Sequence, residues 1–424
     1  MGNLDHTEIV NLLIQLGVMI LAARLFGELA RKLGQPMVVG EIIAGVILGP
    51  SILGTINMDM YELLFPLSGN SGIVLEGIIS VSVVLLLFIA GMEVELDLVW
   101  QQGKKALYTS LFALIIPLVT GFVVSYYFPG LFSLQSANDK LVFSLFIGTT
   151  LSITALPVIA RVLMDLNIFK TKMGMVIIAS AMIIDILGWI IFSIILSMMG
   201  ESSGSMTVPQ TIIATLLFTI VMLTLGKSLI NRTLPWVNRS FAWPGGLLSV
   251  AMVLCFLAAA FTEYIGIHSI FGAFIIGVAL GDSQHMSERA KEIVHQFINN
   301  IFGPLFFVSI GLYVNFVTNF NIVIVSALII LALTSKLTGA YIGARLGGLR
   351  KYTSLAVGFG MNTHGTLEVI LGTIALNSGL ITEEVFVAIV IMVIVSILIS
   401  APLMKYSLHL AKKEKSIRKK AKLT

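Results

Sequence analysis

Cysteine is nearly missing from this chain of 424 residues, which has one, Cys255, inside an apolar run. A disulfide framework within one chain and a cysteine-based metal site are both excluded. Charge is scarce too: Asp, Glu, Lys and Arg make up 11% of the residues, against about a quarter in soluble domains. No HExxH zinc motif occurs. Gly226, Lys227 and Ser228 lack the glycine that a phosphate loop needs five positions earlier, where Val221 stands. Gly69, Asn70, Ser71 and Gly72 spell a short serine-hydrolase pattern, but no histidine is placed to serve it, so the match reads as chance. An intramembrane hydrolase is the most distant reading, testable by mutating Ser71. No polar stretch is long enough for a nucleotide-binding domain, so no nucleotide and no cofactor are expected, and energy must come from ion gradients. The start, MGNLDHTEIV, lacks a basic n-region and a small-residue cleavage site, and the first apolar run is expected to be retained.

What the chain has instead is apolar length. Hydrophobic residues make up 57% of it and its mean hydropathy is +1.00, the composition of a polytopic membrane protein. The runs predict thirteen spanning helices near 9–28, 37–54, 75–91, 106–128, 140–163, 173–198, 210–228, 246–263, 265–281, 292–314, 321–341, 354–377 and 384–406, with the turn near Gly266 the least defined. A formal charge of +4 does not mark a nucleic-acid binder, because the basic residues sit in short clusters between these runs. With the N-terminus outside, 24 of the 26 Lys and Arg fall on the cytoplasmic side. Lys140 is left outside and Lys336 lies within a span. The expected setting is the cytoplasmic membrane with a cytoplasmic C-terminus.

Thirteen helices divide as six, one and six, and an odd linker makes the second six enter the membrane from the opposite face. That is the arithmetic of an inverted repeat, a common plan of secondary transporters. The corresponding segments are 1–200 (helices 1 to 6), 201–240 (linker helix and inner loop) and 241–406 (helices 8 to 13), followed by a basic cytoplasmic tail, 407–424. The two fifth helices, spans 5 and 12, are polar or broken at matching places. Span 5 has Thr150, Ser152, Thr154 and Pro157; span 12 has Gly358, Gly360, Asn362, Thr363, His364 and Gly365. Pro157 removes a backbone donor and disfavours helix before it, and the Gly and Asn cluster around Gly365 does similar work.

Few ionisable groups remain inside the membrane. Asp185 lies near the centre of span 6, with no charge for twelve residues on either side. A carboxylate there is costly unless hydrated or paired, so it is expected to face a cavity, poised between proton and cation. Lys336 is the only cation inside a span, nine residues or about 14 Å along the helix from Arg345. Pairing with Asp185, or with the carbonyl end of a broken helix, suits it better than snorkelling. Glu368 stands three residues after Gly365, where its charge would compensate the exposed amides of a half-helix; cation guidance is the alternative role. Glu41, near the inner edge of span 2, is a candidate for the ion access route or a hydrated helix-start acid. His268 and His364 are candidate proton relays or hydrogen-bonded structural groups. Glu93, Glu95 and Asp97 read as a solvated inner helix end, and the tail KKEKSIRKKAKLT as an anchor on anionic lipid.

Several stretches together resemble the second branch of the monovalent cation:proton antiporters, which includes bacterial sodium/proton and potassium/proton exchangers. They are QPMVVGEIIAGVILGPSILG at 35–54, LLLFIAGMEVELD at 85–97, ALPVIARVL at 155–163, IIDILGW at 183–189, HSIFGAFIIGVALGD at 268–282, FGPLFFVSIGL at 302–312 and GMNTHGTLEV at 360–369. The resemblance implies an all-α sodium/proton antiporter fold with two discontinuous crossing helices. It implies a homodimer in which a bundle of spans 5, 6, 11, 12 and 13 carries one ion site across the membrane. Asp185 matches the family's ion-binding aspartate, while the preceding position, acidic or polar in many members, is Ile184 here. Members with two aspartates commonly pair the first with the lysine matching Lys336 and move net charge; Ile184 therefore predicts one cation for one proton. His364 stands where many relatives have Arg or Lys. No regulatory domain like that of the glutathione-gated potassium members is expected within the sequence up to Thr424.

The expected function is antiport of Na⁺ or K⁺ against H⁺, with no enzyme chemistry. Asp185 would bind cation or proton competitively, with Thr154, Asn362 and Thr363 supplying oxygens, and Lys336, Glu368 and His364 tuning the charge. A carrier of organic anions on a related fold and a channel-like potassium leak are the alternatives.

Overall fold

A computed structural model of the chain describes residues 5–35, 37–66, 70–94, 96–133, 140–166, 168–169, 171–198 and 208–420. Gly69, Glu95, Lys170 and Lys422, all used in the sequence reading, lie outside the described residues. All regular structure among the described residues is helical. Ten helical stretches are long and apolar enough to cross a membrane, and the chain is a multi-pass membrane protein. The other three predicted spans fall on shorter elements, because two of them are interrupted and the third is brief.

The chain forms two compact units, 1–94 with 202–320 and 95–201 with 321–424. The first contains α1 (His6–Lys32), α2 (Met37–Leu48), α3 (Leu53–Ile56), α4 (Met58–Leu64) and α5 (Asn70–Met92), then α10 (Val208–Val221), α11 (Lys227–Ser240), α12 (Gly245–Tyr264), α13 (Ser269–Gly281) and α14 (Glu288–Tyr313). Its helix ends follow local chemistry. Asp5 caps α1 by accepting from the Thr7 amide, and Glu8 reaches back to the Asp5 amide, a reciprocal capping pair. Gly266 ends α12 at φ 82°, and the Ile267 amide returns to the Thr262 carbonyl at 2.8 Å. This left-handed closure satisfies two orphan carbonyls and separates α12 from α13. Buried Tyr61 donates its hydroxyl to the Leu312 carbonyl at the end of α14, 2.6 Å away. At the other end of this unit Lys227 pairs with Asp282 at 2.5 Å, and His295 with Glu93 at 2.8 Å.

The second unit contains α6 (Leu96–Tyr127), α7 (Lys140–Ser152), α8 (Leu156–Asp165), α9 (Lys172–Met198), α15 (Ile322–Leu346), α16 (Lys351–Met361), α17 (Thr366–Asn377) and α18 (Glu383–Lys420). Here α6 packs along α15, α7 and α9, while α16 and α17 pack on α18. A Cβ on Gly339 would meet the Phe112 carbonyl oxygen at 2.4 Å, and one on Gly343 the Tyr108 oxygen at 2.3 Å. Glycine is needed at both places for α15 to lie this close to α6, the small-residue contact by which membrane helices associate. Two details go beyond the sequence pattern. Helix α6 bends at Gly103, whose φ is 51°, and α18 continues as helix through the basic segment to Lys420. The unit also gathers span 4 with spans 5, 6, 11, 12 and 13.

Candidate ion-binding site

The site grows from two interrupted helices of the second unit. Helix α7 stops at Ser152 and α8 starts at Leu156, leaving Ile153, Thr154 and Ala155 non-helical. Pro157 thus sits in the first turn of α8, where its missing N–H would have no intrahelical partner anyway. Helix α16 stops at Met361 and α17 starts at Thr366, leaving Asn362 to Gly365 between them. The two breaks are joined: the Ala155 amide donates to the Thr363 carbonyl at 2.9 Å, and Thr154 Oγ1 donates to the Met361 carbonyl at 3.1 Å. A Cβ on Gly365 would stand 2.5 Å from the Ala155 Cβ, so a glycine is required for the breaks to meet. Its φ of −169° is ordinary extended backbone.

Such a crossing leaves four half-helix ends inside the apolar interior, two rich in carbonyls and two in amides. Lys336 serves the carbonyl end of α7: its Nζ donates to the Ser152 carbonyl and, at 3.0 Å, to that of Ile153. His364 Nε2 lies 3.4 Å from the carbonyl of Leu151 at the same end. The amide end of α17 is served by Glu368, whose Oε2 accepts from the Gly365 amide at 2.7 Å. Lys336, His364 and Glu368 are all fully buried. Each charged group therefore lies against backbone dipoles of complementary sign. Helix α8 has no acidic residue in its first turn; its approach to the second break is made by the backbone and by Thr154.

Asp185 lies in the middle of α9, 2% exposed. Gly188, one turn further on the same face, would bring a Cβ within 2.9 Å of the Ile153 side chain, so this face rests on the first break. Ile184, the preceding residue on α9, is fully buried. Thr154, Asn362 and Thr363 are buried at the two breaks. Thr363 Oγ1 donates to the Gly360 carbonyl at 2.9 Å. With their protons committed to carbonyls, both threonine hydroxyls keep lone pairs for a cation. Asn362 Oδ1 is buried without a hydrogen-bond partner among the described residues, as is Thr150 Oγ1 one turn before the first break. Glu41 is buried on α2, in the first unit. His268 is the N-cap of α13, its ring nitrogen accepting from the Ile270 amide at 3.4 Å.

Two residues absent from the sequence reading also hold the second break. Ser396 and Ser400, one turn apart on α18, reach its backbone: Ser396 Oγ accepts from the His364 amide at 3.2 Å, and Ser400 Oγ donates to the Asn362 carbonyl at 3.2 Å. Serines spaced by four in an apolar helix were the only available signal, and serine back-bonding within membrane helices gives the same pattern.

The arrangement places carboxylate, hydroxyl, amide and carbonyl oxygens at one crossing, the ligand chemistry of a hard monovalent cation. Comparisons with known proteins identify the family. Over 405 residues the chain is 32% identical to the Na⁺/H⁺ antiporter NhaS4 of a Synechocystis species, covering 94% of this chain and 98% of that protein. It is 31% identical over 394 residues to the Na⁺/H⁺-K⁺ antiporter GerN of Bacillus cereus, covering 93% and 95%. The sodium proton antiporter MjNhaP1 of Methanocaldococcus jannaschii has the same fold, with a TM-score of 0.67 at 17% identity over 96% of this chain and 99% of that one. A family model described as sodium/hydrogen exchanger, transmembrane, matches residues 17–405. The chain belongs to the sodium/hydrogen exchanger family of membrane transporters.

Proposed function

We propose that this chain exchanges a monovalent cation, Na⁺ or K⁺, for H⁺ across the cell membrane, with Asp185 as the group that binds them in turn. The observation that carries this reading is a buried acid on α9 whose face rests on the first of two crossed helix breaks. A single carboxylate that takes either a cation or a proton, and is carried across with one or the other, couples the two fluxes. Thr154, Asn362 and Thr363 supply neutral oxygens beside it. Lys336 and Glu368 stay with the half-helix ends and are not exchanged.

The exchange is one for one and electroneutral. Its support is Ile184, which leaves Lys336 without a second carboxylate on α9, together with the carbonyl partners of the Lys336 ammonium. The carrier works as an elevator in which the bundle bearing the crossing moves the site between faces, in a homodimer with the N-terminus outside and the C-terminus in the cytoplasm. In proteoliposomes containing a pH dye, added Na⁺ or K⁺ should drive recovery of an imposed pH difference. Asp185→Asn should abolish it, and exchange retained in that variant would remove Asp185 from its role.

A further inference from the structure

Besides its bonds to the first break, the second break is held by α18. Ser396 accepts from the His364 amide at 3.2 Å and passes its own proton to the Val393 carbonyl at 2.8 Å. Ser400 has one proton and two acceptors: the Asn362 carbonyl at 3.2 Å and the Ser396 carbonyl at 2.7 Å. Both serines are about 1% exposed, so water does not replace them if they are lost. What they grip is the backbone on either side of Thr363. The held residue Asn362 has a side-chain oxygen that is itself buried and without a hydrogen-bond partner among the described residues. An oxygen in that condition is a ligand position, and its direction follows from the backbone that Ser400 ties.

We propose that Ser396 and Ser400 are positioning residues that set which monovalent cation the crossing accepts, by fixing the Asn362 carbonyl and the His364 amide and so the spacing of the oxygens around Asp185. The inference rests on the exchange reading above. Selectivity among alkali cations depends on the number, spacing and rigidity of oxygen ligands, and the two ties to α18 stiffen the second break beyond its bonds to the first. Loss of one grip widens the permitted spacing.

The test is the ratio of apparent Na⁺ to K⁺ affinities in proteoliposomes, measured for the wild type, Ser396→Ala, Ser400→Ala and Ser400→Thr. The ratio cancels differences in the amount of folded carrier, which a purely structural role would change. Each Ala variant is expected to shift it by about threefold or more, the size of a single modest hydrogen bond, and Ser400→Thr, which keeps the hydroxyl, to return it to the wild-type value. Ser400→Cys, similar in volume and a weak donor, covers the case in which Ser400→Ala does not fold, with the same direction of shift expected. A wild type that exchanges both cations, with variants of unchanged ratio, overturns this proposal alone. A wild type with no cation-driven proton flux overturns the exchange reading first.

Discussion

Replacing Lys336 separates two opposed expectations. If its buried ammonium is simply a desolvated charge, an apolar residue of similar length should stabilise the protein, as replacing buried ions often does. If it completes the end of α7, removing it leaves the Ser152 and Ile153 carbonyls without their donor in an apolar interior. Hydrogen bonds from a charged group contribute about 1.5–3 kcal/mol each, so two are worth roughly 3–6 kcal/mol, from which relief of the ammonium's own desolvation subtracts several. The net expectation for Lys336→Met, which keeps volume and removes donors, is a loss of about 1–3 kcal/mol. In a unit of this size each kcal/mol moves Tm by about 2–4 °C, so the fall should be roughly 2–12 °C. Purified protein in one detergent, heated and scored for the remaining folded fraction, gives the number. Lys336→Ala should lose more, by the added cavity. A Lys336→Met variant as stable as the wild type, or more so, would refute the capping argument.

Gly365→Ala should lose stability by about 1–3 kcal/mol, because its Cβ would stand 2.5 Å from that of Ala155; thermal unfolding and exchange assays should fall together. Tyr61→Phe, which removes the donor to the Leu312 carbonyl, should cost about 1 kcal/mol without changing apparent cation affinity, read from the same two assays. Competition at one carboxylate predicts that apparent cation affinity weakens as pH falls, by about tenfold for each pH unit where the proton competes fully; a pH-independent affinity in exchange assays would contradict it. At fixed ion gradients an imposed membrane potential should leave rate and direction unchanged, and potential-driven exchange would end the one-for-one stoichiometry.

Much of this was legible in the sequence because lipid imposes simple rules. Apolar length located the ten helical stretches long enough to cross a membrane. Pro157 and the cluster from Gly358 to Gly365 marked the two interrupted helices, and an isolated Asp185 stood out against its apolar surroundings. The partners were not legible, because they are backbone atoms. Nothing in the residue string distinguishes Lys336 facing Asp185 from Lys336 facing the carbonyls of Ser152 and Ile153; only the crossing decides, and there the carbonyls take the hydrogen bonds. Ser396 and Ser400 were invisible for the same reason, since their partners are an amide 32 and a carbonyl 38 residues away. Pro157 falls just after its break, because a proline is tolerated where a helix begins.

The central claim is that cation and proton compete for one carboxylate. Its most direct measurement is the number of protons released per cation bound by purified protein in weak buffer, titrated with Na⁺ and with K⁺ at a pH where Asp185 is protonated. The account predicts about one proton per cation for the wild type and neither binding nor release for Asp185→Asn. Cation binding without proton release, or proton release that persists in Asp185→Asn, would contradict it.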